Sequence, residues 1–262
     1  MTDLPQTTFI PLGADDDRRH AATTAPRRDG VPMITLVLLP GMDGTGELFG
    51  PFIAALDGEF NVKVVSYPTT APLDYSELES FARAELPAEG PFVLLGESFS
   101  GPIAVCLAAS APHRLKGLIL CCTFVRNPRP IFAGMRSLVG ILPVALAPVR
   151  LLSHLLLGSF STAPLRTALV KSLAQVSAPA LRARLRSVLQ VDVSAKLSAV
   201  TVPTLYLRAS SDRLVPPSAS ALISQLAPRS RVVQLEGPHF LLQAAPALGA
   251  EAVRSFLHEV HD

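Results

Sequence analysis

The chain has 262 residues, 49% hydrophobic and 17% charged, which is apolar enough to build one large core and excludes a globally disordered chain. Its 24 prolines and 16 glycines interrupt it too often for a long coiled coil, and the absence of tryptophan removes any site built on an indole. The net charge of +2 points to no nucleic-acid partner but is unevenly spread: nine of the 23 basic residues and none of the 21 acidic ones fall within 125–190, so that stretch carries +9 and the remainder −7.

Residues 1–31 are polar and include the run Asp15-Asp16-Asp17-Arg18-Arg19, which predicts a loosely ordered N-terminal arm. The start lacks the basic and apolar regions of a secretory signal, and the uncharged stretch of the basic segment between Arg136 and Arg150 is too short to span a bilayer. A cytoplasmic protein is expected. From Ile34 onward, short apolar runs bounded by glycine or proline recur at Ile34–Leu39, Val62–Val65, Phe92–Leu95, Leu118–Cys122, Leu205–Leu207 and Val232–Leu235. Such runs predict strands of a parallel sheet, buried on both faces. Helical windows lie between them at Leu48–Leu56, Tyr75–Ala84, Ile103–Ala109, Ala219–Leu226 and Ala247–His258. The alternation predicts a wound α/β fold with a core of residues 32–124 and 200–262. Residues 125–199 are rich in leucine and carry no strand pattern, so they are expected to form a helical cap inserted into that core. Cys106, Cys121 and Cys122 show no metal-ligand spacing, and the adjacent pair sits in an apolar run that suits reduced thiols; no metal or cofactor is expected.

The strongest local motif is Gly96-Glu97-Ser98-Phe99-Ser100-Gly101, directly after one predicted strand and before a helix. A serine in a sharp strand-to-helix turn is lifted above the sheet edge, and small residues on either side allow strand and helix to approach. Ser100 stands where a glycine is usual. A glycine-rich turn with a serine cap would read the same way, so the motif needs partners. His239 follows the run Val232–Leu235 and Asp212 follows Leu205–Leu207, each in a loop where such sheets display functional groups. The order Ser98, Asp212, His239 is that of a nucleophile, an orienting acid and a base in this topology. His113, His154, His20, His258 and His261 lie in less suitable places, and Asp192 is the next acid to consider. Backbone N–H donors for an oxyanion are expected from Phe99, after the nucleophile, and from Met42 in the loop Leu39-Pro40-Gly41-Met42-Asp43-Gly44-Thr45-Gly46. The same loop could be taken for a dinucleotide fingerprint, but Phe49 stands in place of the third glycine and no carboxylate ends the next strand.

Together these residues resemble the α/β-hydrolase superfamily over about residues 33–260, and the loop Leu39–Gly46 is similar to that of phytyl-ester-synthase-like and related acyltransferase or thioesterase members. The resemblance implies Ser98 as nucleophile, His239 as base, Asp212 as acid and a helical cap. It implies a serine hydrolase of carboxylic esters or thioesters, with an acyltransferase using the same acyl-enzyme, or a non-catalytic binding protein on the same fold, as alternatives. Leu138, Ile141, Leu142 and Phe240 are the expected lining of an apolar acyl site. Arg182 and Arg186 share a face of a predicted helix, Leu181–Leu189, whose Leu181, Leu185 and Leu189 form a stripe. Those arginines suit an acyl carrier protein, a coenzyme A thioester or an anionic lipid surface.

Overall fold

The computed structural model describes residues 33–110, 112–139 and 148–261. The arm expected at 1–31, and Ile141 and Leu142, lie outside them. The elements run β1 (Thr35–Leu39), α1 (Gly50–Ala55), β2 (Asn61–Val64), α2 (Tyr75–Ala84), β3 (Phe92–Glu97), α3 (Gly101–Ala109) and β4 (Leu115–Cys121). Between β4 and the next strand come α4 (Val149–Leu156), α5 (Ala163–Ala174), α6 (Ala178–Gln190) and α7 (Ser194–Leu197). The chain then continues with β5 (Thr204–Ser211), α8 (Pro217–Leu226), β6 (Arg231–Pro238), α9 (Leu241–Ala244) and α10 (Pro246–His261).

All six strands pair in parallel in the order β2-β1-β3-β4-β5-β6. The period-two geometry of each central strand sends alternate side chains to opposite faces. Val37, Leu39, Leu94, Leu118 and Leu120 pack under α2 and α3, whereas Leu36, Leu38, Val93, Leu95 and Ile119 pack against α1 and α10. Burial on both faces therefore holds for β1, β3 and β4 and for the first half of β5. It does not hold for β2 and β6, whose residues are mostly half-buried or exposed, because an open sheet has two edges and these strands occupy them. Strand order reverses at β1, so the carboxyl ends of β1 and β3 flank the crevice where such sheets place their sites. α2 begins at Asp74 because its carboxylate accepts from the Ser76 and Glu77 N–H groups while Glu77 reaches back to the Asp74 N–H.

The segment between β4 and β5 leaves and rejoins the core through a narrow neck. Arg126 and Asp192 form an isolated antiparallel bridge, Asn127 donates to the Val191 carbonyl and Val193 to that of Val125. Asp192 is thus a neck residue, and its carboxylate, which accepts from Ser194, is held below the usual carboxylate range mainly by that hydrogen bonding.

Candidate active site

β3 ends in the turn that carries Ser98. Its φ of 48° lies in the left-handed region, which disfavours a side chain by about 1–3 kcal/mol and persists only where the surroundings enforce it. Close packing does so here. A Cβ on Gly96 would lie 2.7 Å from that of Ala104, and one on Gly101 would fall 2.0 Å from Thr123 Oγ1. Thr123 donates to the Ser98 carbonyl, and Tyr75 donates to that of Phe99 at 2.9 Å while its ring stacks on the Phe99 ring.

Ser100, the departure from the usual small-residue pattern, is fully buried and has a specific use. Its hydroxyl donates to the Pro40 carbonyl and bonds the Tyr67 hydroxyl at 2.8 Å. A glycine there would lose both of these bonds.

β5 and β6 bring the other two members to Ser98. Its Oγ lies 2.8 Å from His239 Nε2, and His239 Nδ1 lies 2.9 Å from Asp212 Oδ2. With its proton on Nδ1 the imidazole donates to Asp212 and leaves Nε2 to accept from Ser98. The other Asp212 oxygen accepts the N–H groups of Leu214 and Val215, both at 2.9 Å. The acid therefore also caps the turn leading into α8, which locks its rotamer. His239 is only 2% exposed, so its imidazolium would depend on Asp212 rather than on water. The arrangement can draw a proton from a hydroxyl and return it to a leaving group.

The remaining expected site residues divide. Met42 and Phe99 occupy the adjoining ends of β1 and β3, where Leu39 pairs with Gly96. Phe240 follows the base, and its N–H donates to the Leu156 carbonyl, tying the histidine loop to α4. Leu138 is 50% exposed. A cavity of about 80 Å3 lies beside α8, lined by Phe124, Val125, Arg126, Asn127 and Leu222 among others, and includes none of Ser98, Asp212 or His239.

On α6 the expected leucine stripe is not the inward face. Leu181, Leu185 and Leu189 are half-buried, and the most deeply buried residues are Ala180, Arg184 and Ser187. Arg186 is exposed and Arg182 half-buried. Arg184, flanked by residues of its own sign and not selected from the sequence, is 1% exposed and donates to the carbonyls of Met42, Asp43 and Pro68. Its signal in the sequence was the small residues Ala180 and Ser187 on the same face, which permit close approach. Arg129 likewise donates to the carbonyls of Arg213 and Leu214 beside Asp212, and Arg213 to that of His154. Two of the nine basic residues of that segment, Arg129 and Arg184, thus serve backbone carbonyls rather than acids.

Glu97, immediately before Ser98, is buried at 6% exposure. Burial pushes its carboxyl up to about 7, with Asp43 adding to the rise, against the lowering effects of the Gln243 hydrogen bond and the nearby His239.

A parallel sheet displaying a strained serine, a buried histidine and an aspartate at its carboxyl edge defines an α/β-hydrolase. The chain belongs to the family described as serine aminopeptidase, S33, which matches residues 70–238 and so ends one residue short of His239. It is 30% identical over 228 residues to a pimeloyl-[acyl-carrier protein] methyl ester esterase of Aeromonas hydrophila, covering 77% of this chain and 86% of that one. The fold is similar to that of a hydrolase from Oleispira antarctica, with a TM-score of 0.74, 15% identity and coverage of 86% and 91% of the two chains. It is also similar to an enol-lactonase from Burkholderia xenovorans, with a TM-score of 0.68, 18% identity and coverage of 86% and 92%.

Proposed function

We propose that the protein hydrolyses a carboxylic ester or thioester through an acyl-enzyme. The observation that carries this reading is the unbroken hydrogen-bonded chain from Ser98 through His239 to Asp212 on a serine held at positive φ. Ser98 Oγ attacks the acyl carbon as His239 Nε2 takes its proton, and Asp212 stabilises the imidazolium. The N–H groups of Phe99 and Met42 hold the oxyanion of the tetrahedral intermediate. Collapse expels the alcohol or thiol, which receives the proton from His239. Water, activated by the same imidazole, then releases the acid and restores the serine.

The segment 125–199 serves as the cap, and Leu138 and Phe240 contribute to an apolar acyl site. The likeness to a carrier-protein methyl ester esterase supports an acyl group presented on a carrier, with Arg182 and Arg186 meeting its acidic surface. The test is turnover of p-nitrophenyl butyrate together with labelling by a fluorophosphonate. The wild type reacts with both, and Ser98→Ala reacts with neither while keeping its thermal melt. Equal turnover by Ser98→Ala would refute the reading. Adding an alcohol acceptor separates hydrolysis from acyl transfer by the product formed.

A further inference from the structure

The loop after β1 is rich in glycine, carries no regular structure and still has to present one N–H group in a defined direction. Backbone N–H and C=O groups in such a loop need partners when they are buried. Within the loop, the Gly44 N–H donates to the Gly41 carbonyl at 3.1 Å, which sets the plane of the Gly41–Met42 peptide, the one that carries the Met42 N–H. The next two peptide planes are set from outside. Arg184 Nη1, reaching across from α6, donates to the Met42 and Asp43 carbonyls, both at 2.8 Å, and Nη2 donates to the Pro68 carbonyl at 2.9 Å. The guanidinium lies over the Tyr67 ring, 5.9 Å from its centre, and Tyr67 in turn bonds Ser100 of the serine turn. Gly44 is required beside it. Its φ is +72°, and a Cβ there would lie 2.6 Å from Arg184 Nη1.

A second fastening comes from α5. Ser172 donates to Asp43 Oδ2 at 2.7 Å, and the same oxygen accepts from the Thr45 N–H at 3.0 Å and from its hydroxyl at 2.6 Å. Two helices of the β4–β5 segment therefore hold the loop.

We infer that Arg184 is a positioning residue for the oxyanion donor: it fixes the peptide that follows Met42, and with it the direction of the Met42 N–H, so that the helices above the sheet are part of the acyl-transfer machinery. The inference rests on the ester-hydrolase reading and deepens it. Arg184 touches no reacting atom. Its effect comes through the loop, where a displacement of about 1 Å can cost about a hundredfold in rate.

The experiment compares wild type, Ser98→Ala, Arg184→Lys, Arg184→Met and Ser172→Ala. It measures thermal melting, kcat and KM on p-nitrophenyl butyrate, and inhibition by an alkyl trifluoromethyl ketone, which Ser98 converts into a hemiketal oxyanion. Arg184→Met is expected to lose at least about tenfold in kcat with KM within about twofold, and ketone affinity falls by the same factor. Arg184→Lys, which keeps the charge but not the planar fork of donors, recovers part of both. A brace with no bearing on the oxyanion would lower the melting temperature and leave kcat and ketone affinity alone. Should Arg184→Met fail to fold, Ser172→Ala decides, with an expected fall of at least about threefold in both quantities. A folded Arg184→Met, or in its absence a folded Ser172→Ala, that keeps both within twofold of wild type overturns the inference. A wild type no faster than Ser98→Ala on the ester refutes the hydrolase reading instead, and the inference falls with it.

Discussion

Glu97→Gln isolates the energetic consequence of placing a carboxyl beside the nucleophile inside the core. Burial raises the Glu97 carboxyl from 4.5 to about 7. Between those values the folded chain keeps a proton that the unfolded chain has lost, so stability declines as pH rises through this window. Above pH 7 the full cost of the ionised form is present. A rise of that size corresponds to about 3 kcal/mol, most of which develops between pH 5 and pH 8.5. Glutamine matches the side chain in shape and carries no charge. Its amide N–H can also donate to Gln243 Oε1, a buried acceptor with no hydrogen-bond partner among the described residues. Urea denaturation of wild type and Glu97→Gln at pH 5, 7 and 8.5 reads the effect directly. The variant should gain about 2–3 kcal/mol on the wild type between the first and last pH. Stability curves that stay parallel across that range would refute the reasoning, because they would show that Glu97 titrates alike in the folded and unfolded chains.

Ser100→Ala removes the bond to the Pro40 carbonyl and leaves the buried Tyr67 hydroxyl without this partner, so it should cost about 1–3 kcal/mol in a denaturation assay. A change below about 0.5 kcal/mol would show that the turn and the loop are joined by other contacts. Raising salt from about 50 to about 300 mM should increase KM several-fold for an acyl-carrier-linked ester while hardly affecting a neutral p-nitrophenyl ester, because exposed charges are screened over about 8 Å at physiological ionic strength. Arg182→Glu combined with Arg186→Glu should reproduce that selective loss, and equal responses by both substrates would remove these arginines from the docking role.

Much of this architecture is local in origin and so could be read along the chain. Six apolar runs between glycines and prolines became six parallel strands because a strand in the middle of a sheet needs apolar residues on both faces. α2 starts where Asp74 and Glu77 can satisfy each other's backbone, a pairing contained within four residues. The order of Ser98, Asp212 and His239, each just after a strand, was legible for a similar reason: parallel strands bring their carboxyl ends to one edge, so residues far apart in sequence meet there. Tertiary structure alone decided the rest. Which strands became edges depended on spatial order, and β2 and β6 lost burial on that account although their runs look like the others. Helical periodicity placed Leu181, Leu185 and Leu189 on one face of α6 but could not say that Arg184 would turn inward. The Met42, Asp43 and Pro68 carbonyls that it serves lie more than 110 residues earlier in the chain. A backbone carbonyl carries no side-chain signature, so its demand for a donor becomes visible only when the loop and the helix that answers it are packed together.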